Sequence, residues 1–183
     1  NNKRQVDTLD ESENEVQNYT LNLDYALGDL TLTSVTGYVT YEFEESNDLD
    51  FVGAPVFEGL GEEEYDQFSQ EIRLVSPGGE TVDWIAGAFY QTSELDYNDN
   101  IVIFDNSVLG LVSSALTPIL DTNAARTYTA DSDLWAVFAQ GTWNMTDTFR
   151  ITAGGRYTSE DKDATREINI LDNDTGDITT NPA

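Results

Sequence analysis

Phe149-Arg150-Ile151-Thr152-Ala153-Gly154-Gly155-Arg156-Tyr157-Thr158 is the stretch on which the fold turns. Phe149, Ile151, Ala153, Gly155 and Tyr157 alternate with Arg150, Thr152, Gly154, Arg156 and Thr158, and a period of two marks a strand with one apolar and one polar face. Just before it, Met145-Thr146-Asp147-Thr148 predicts a tight reversal, and residues 134–144 predict the partner strand of a hairpin. Working back along the chain, the same unit recurs. Phe68, Gln70, Ile72 and Leu74 alternate with Ser69, Glu71 and Arg73, turn through Pro77-Gly78-Gly79-Glu80, and return over residues 82–93. Earlier still, Tyr19, Leu21, Leu23, Tyr25 and Leu27 form one face of a strand that reverses at Gly28-Asp29, glycine supplying the positive φ of a hairpin turn. On the return, Leu30 and Leu32 share one parity while Val35, Val39, Tyr41 and Phe43 share the other, which predicts a bulge near Ser34.

The connections are lopsided. Three are short turns, whereas residues 44–65, 95–126 and 160 onward read as long acidic loops. Strict alternation of short and long connections has a cause in a transmembrane barrel, with tight periplasmic turns and long extracellular loops. The charges agree with it: on the strands from Tyr19, Phe68 and Phe149 the apolar parity holds no Asp, Glu, Lys or Arg, while Asp24, Glu71, Arg73, Arg150 and Arg156 fall on the other. Aromatic residues gather toward strand ends, as suits a bilayer interface. Trp135 and Trp143 share a parity eight residues apart. At ~3.3 Å per residue and ~45° tilt they are spaced for opposite girdles.

Composition narrows the function classes. With 35 acidic and 8 basic residues in 183, the formal charge is -27, so nucleic acid is excluded as a partner because binding it rests on Lys and Arg. Yet 39% hydrophobic and 11% aromatic content is too rich for a disordered acidic tail. The absence of Cys and His removes disulfides, thiolate and imidazole metal sites and the usual catalytic triad. Residues 1–14 are polar and do not read as a signal peptide, so an exported protein is expected to begin upstream of them. No apolar run approaches the ~18 residues of a membrane helix, so any crossing falls to strands.

Two hairpins carry a resemblance. Phe68-Ser69-Gln70-Glu71-Ile72-Arg73-Leu74-Val75-Ser76-Pro77 with Val82-Asp83-Trp84-Ile85-Ala86-Gly87-Ala88-Phe89-Tyr90 resembles a barrel hairpin of TonB-dependent outer-membrane receptors. Leu134-Trp135-Ala136-Val137-Phe138-Ala139-Gln140, continuing through Asn144-Met145-Thr146-Asp147 to Ile151-Thr152-Ala153-Gly154-Gly155-Arg156-Tyr157-Thr158, is similar to another. The resemblance implies an all-β fold in which 1–183 forms about six antiparallel strands of an up-and-down barrel of about 22. It also implies a plug domain and remaining strands elsewhere, and no catalytic residues, cofactor or bound metal. The partners implied are outer-membrane lipid and lipopolysaccharide, the plug, the TonB complex, and a scarce nutrient such as a ferric siderophore, a cobalamin-like compound or a carbohydrate. The competing reading is a soluble, acidic, calcium-dependent β-sandwich of an adhesin or surface layer.

Candidate sites follow the charges. Glu71, Arg73, Arg150 and Arg156 are expected to face the lumen, paired with one another or with the plug. Glu62, Glu63, Glu64 and Asp66, with Glu42, Glu44, Glu45, Asp48 and Asp50, are read as outer-loop acids that either draw a cationic ligand or sit solvated near lipopolysaccharide, bridged by divalent ions. Asp172-Asn173-Asp174-Thr175-Gly176-Asp177 has its Gly one place early for a calcium loop, so a plain polar turn is expected. The apolar residues 108–112 and 115–120 are expected either to form a short helix over the mouth or to pack within their own loop.

Overall fold

A computed structural model of the chain describes residues 10–179; most of the polar stretch 1–14 lies outside this span. Six strands form one sheet in chain order: β1 (Glu11–Leu27), β2 (Leu30–Asp48), β3 (Phe57–Val75), β4 (Val82–Ile103), β5 (Thr122–Thr146) and β6 (Phe149–Asp172). Every neighbouring pair is antiparallel, an up-and-down meander in which each strand hydrogen-bonds the next. Gly28, at φ 65°, turns β1 into β2, a left-handed conformation that L side chains rarely adopt.

The strands are longer than the sequence suggests, from 17 residues in β1 to 25 in β5, against the ~9–11 that cross a bilayer. The expectation of long loops over 44–65, 95–126 and 160 onward is thereby corrected. The intervening loops contract to 49–56 and 104–121, and the opposite end keeps short connections at 28–29, 76–81 and 147–148. The reason is physical: a ladder forms from backbone groups whatever the side chains, so a strand polar on both faces has no apolar signal to reveal it.

The bulge expected near Ser34 is absent. Pairing runs without a shift through Ser34 on both sides, opposite Leu23 and opposite Ile72. Val35, Val39 and Tyr41 simply lie on the other face from Leu32. A register shift does occur between Asn144 and Thr146, beside the β5–β6 turn. There Asn144 joins two turns, its Nδ2 donating to Glu80 O and to Asp83 Oδ2, each at 2.7 Å.

No interior core exists among the described residues: Val56 and Ala136 are the buried apolar side chains, and Tyr25 and Ile72 stand 65% and 50% exposed. A β-sandwich closes such faces against a second sheet, and the described residues form a single one. The apolar face therefore needs another neighbour. Among the described residues no helix is long and apolar enough to cross a membrane.

The 104–121 loop holds a one-turn helix, α1 (Leu109–Val112), and a 3-10 helix (Ser114–Ile119). Leu120 packs over Gly110, so the loop folds partly on itself. It is also docked on its neighbour: Ser107 Oγ donates to Val56 O and Val108 N to Pro55 O, each at 3.0 Å.

Candidate functional site: two faces and their charges

Register carries each strand's parity across the sheet, so the faces can be followed from edge to edge. Tyr19 lies opposite Tyr38, Tyr38 opposite Phe68, and Tyr90 opposite Trp135. Together with Tyr157, whose ring lies 5.4 Å from that of Trp135, they make an aromatic row on one face. Below it on the same face come Leu21 and Leu23, Leu32, Ile72 and Leu74, Ala86 and Ala88, Val137 and Ala139, and Ile151 and Ala153. A second aromatic level follows with Trp84, Trp143 and Phe149. Between the two levels this face carries no charge. Its one amide, Gln70, is satisfied: Nε2 donates to Ser34 Oγ at 2.9 Å and Oε1 accepts from Thr36 at 2.7 Å, as a polar group in hydrocarbon must be.

The upper edge of the band is marked by a repeated contact. Tyr38 donates its hydroxyl to Asp66 and Tyr90 donates to Asp133, both at 2.7 Å, and Tyr19 donates to Gln17 at 2.8 Å. Above that edge the same face turns acidic. Glu15, Glu42, Glu64 and Asp96 form one row across four strands, and Asp66, Glu94, Asp131 and Asp163 another.

The sequence-predicted acids thus lie mostly on strands rather than in an outer loop. Glu62, Glu64 and Asp66, with Glu42, Glu44 and Asp48, share the band's face on β3 and β2; Glu63 and Glu45 point the other way, and Asp50 alone of the set sits in a loop. Asp48 Oδ1 accepts from the backbone N–H groups of Asp50 and Phe51, at 3.0 and 2.9 Å, and so shapes that loop.

The opposite face gathers every basic residue of the described strands: Arg73, Arg126, Arg150, Arg156, Lys162 and Arg166. Arg73 pairs with Glu71 at 3.2 Å. Arg156 lies 5.6 Å from the centre of the Phe89 ring and donates through Nε to Thr158, a cation–π contact. Arg150 lies within electrostatic reach of Asp83. The four residues singled out from sequence therefore share a face without forming one cluster.

A second group on this face was missed. Tyr97, Tyr128 and Arg166 stand in register on β4, β5 and β6, with Asp99 paired to Arg126 one row higher. They bound a recess of about 260 Å³. A faint signal was present, since Arg126, Tyr128 and Ala130 keep a period of two between the end of the loop read over 95–126 and the strand read from 134. The 172–177 segment is a polar turn: Asp172 Oδ1 accepts from Asp174 N, Thr175 N and Thr175 Oγ1, and the Thr175 N–H leads in holding that carboxyl below the usual carboxylate range.

Residues 1–181 match the family model described as TonB dependent receptor-like, beta-barrel. The chain belongs to that family. Among solved structures it is similar to the ferric yersiniabactin uptake receptor FyuA from Yersinia pestis, with a TM-score of 0.63 and 18% identity over 88% of this chain and 23% of that one. The chain thus spans about a quarter of the length of that receptor, and the likeness at this identity is one of fold. Among curated proteins none matches. The single up-and-down sheet, with short connections at one end and longer ones at the other, is that of a transmembrane barrel segment, the class of fold in which tight turns are periplasmic and longer loops extracellular.

Proposed function

We propose that this TonB-dependent receptor chain forms part of a nutrient-uptake barrel in the bacterial outer membrane, serving a ferric siderophore or a similarly scarce compound and carrying no catalytic role. The observation that supports it most is the partition of charge: an uncharged, aromatic-edged lipid face backed by a lumen face that holds all the described strand cations. The name of the FyuA neighbour, a ferric siderophore receptor, points the same way. In this reading 1–183 is part of the barrel domain, a plug occupies the lumen, and the TonB complex supplies energy from the inner membrane. Glu71, Arg73, Arg150 and Arg156 then hold the plug side of the wall. The acids above the band, Glu62, Glu64 and Asp66 among them, stand among lipid headgroups and lipopolysaccharide, bridged by divalent cations; facing outward, they are poorly placed to draw cargo into the lumen.

The test is uptake in cells of the source bacterium. Deleting the receptor gene is expected to abolish accumulation of one ferric siderophore under iron limitation, and removing the inner-membrane energy source is expected to do the same with the receptor present. Accumulation that survives loss of that energy source would overturn the transport reading.

A further inference from the structure

We infer that the 104–121 connection is a latched flap, docked between the 49–56 loop on one side and the 172–179 turn on the other, and that it docks and releases as a single body. Hydrogen bonds and backbone conformation carry this, whichever nutrient the receptor takes.

The ladder ends in a common row, with Phe57 opposite Ile103, Ile103 opposite Thr122 and Thr122 opposite Asp172. Beyond that row the connections go on bonding sideways. Toward β3, Ser107 Oγ donates to Val56 O and Val108 N to Pro55 O, each at 3.0 Å. Toward β6, Asn173 grips both ends of the 104–121 connection at once: its Nδ2 donates to Ile103 O at 3.0 Å and its N–H to Asp121 O at 3.1 Å. The two flanks are tied to each other through the flap. Leu120, next to Asp121, packs over Gly110, and the Gly110 N–H donates to Ser107 O at 3.2 Å. Release on one side therefore loosens the other.

Little else holds the flap down. α1 and the 3-10 helix bury no residue, and Leu111 and Val112 at the tip stand 88% and 75% exposed. An element tied by a few hydrogen bonds, with no apolar core beneath it, belongs to the part of a protein that opens before the rest. The backbone favours opening as well. Asp121, where the flap joins β5, sits at φ 59°, and Phe51 in the loop on which the flap docks has the same φ. Non-glycine residues keep this left-handed conformation when their surroundings impose it. Because the Asp121 carbonyl is also the acceptor for Asn173, latch and hinge coincide at one residue. The device is a two-position segment of the rim, docked at rest, and its movement carries the apolar Leu111–Val112 tip with it.

Amide hydrogen exchange on the full-length receptor in detergent micelles, resolved to single residues, tests this. Val108 reports one flank and Asn173 the other. In the unaltered receptor the two amides are expected to have protection factors within roughly tenfold of each other, as groups freed by one opening do. Ser107→Ala leaves Val56 O without its side-chain donor and is expected to speed exchange by roughly tenfold at Asn173 as well as at Val108. Asp121→Val places a β-branched residue in the left-handed region and is expected to do the same from the other flank, whereas Asp121→Asn, which tolerates that region, leaves both amides as they were. Protection that differs between the flanks by more than that margin, or variants that speed only the flank they touch, would overturn the single-body flap. Equal effects of Asp121→Val and Asp121→Asn would overturn the hinge. Should a variant fail to assemble, the comparison of Val108 with Asn173 in the unaltered receptor still decides.

Discussion

Tyr90 on β4 donates its hydroxyl to Asp133 on β5 at 2.7 Å, across the boundary between the uncharged band and the acidic outer part of the wall. Tyr38 and Asp66 repeat the contact between β2 and β3. In both pairs the ring lies in the apolar band and the phenol reaches up to a carboxylate, the division of a tyrosine between lipid and water that an interface selects.

That boundary fixes depth. With Trp135 as the sole tryptophan the indole is expected at the outer interface, and with Trp143 as the sole tryptophan at the periplasmic one. In oriented vesicles an impermeant quencher added outside should act on Trp135 well before Trp143. Equal quenching of the two would contradict the opposite-girdle placement.

The lipid face should reject charge where the lumen face accepts it. Ala139 lies midway between Trp135 and Trp143, opposite Ala86 and Gly155, whereas Gln140 next to it belongs to the other face. Ala139→Arg is expected to cost about 2–4 kcal/mol in a bilayer refolding titration. Gln140→Arg is expected to cost less than about 1 kcal/mol.

Gly87 is held to its size by its neighbours. A Cβ there meets Phe138 Cζ at 2.6 Å, Ile72 O at 2.7 Å and Arg73 Cβ at 3.0 Å. Phe138 covers the glycine, as aromatic side chains do across a strand pair. Gly87→Ala is expected to destabilise the barrel by about 1–3 kcal/mol through overpacking. Adding Phe138→Leu should recover only part of the loss, because the Ile72 carbonyl belongs to the backbone and cannot swing away. Full recovery would place the whole clash on the ring.

Acid faces acid above the band. Glu42 lies opposite both Glu15 and Glu64, and Asp131 opposite both Glu94 and Asp163. Like charges directly opposite destabilise a sheet, with cross-strand pairs worth about 0.2–1 kcal/mol each. Chelating divalent cations at low ionic strength is therefore expected to lower the thermal midpoint, and Mg²⁺ or ~1 M salt to restore it by neutralising or screening the rows. The Glu42→Gln, Asp131→Asn double variant should lose most of that sensitivity. A midpoint indifferent to chelator would remove the bridging cations from the account.

What the sequence determined by itself is the parity of each membrane-crossing stretch, because side-chain direction in a strand alternates with chain position and needs no knowledge of the neighbours. Phe149 through Thr158 declares its two faces unaided, and from such stretches came the strands, the short turns, the uncharged face and the grouping of Glu71, Arg73, Arg150 and Arg156 on the face opposite it. The tertiary structure decided what depends on partners distant in sequence. Register removed the bulge at Ser34 by showing that Val35 and Leu32 lie on opposite faces of an unbroken ladder. It also turned acidic loops into strand extensions, whose hydrogen bonds are backbone bonds to a neighbour and leave no mark on side-chain polarity. Tyr97, Tyr128 and Arg166 meet for the same reason: dozens of residues apart in the chain, they are brought level only by the pairing of β4, β5 and β6.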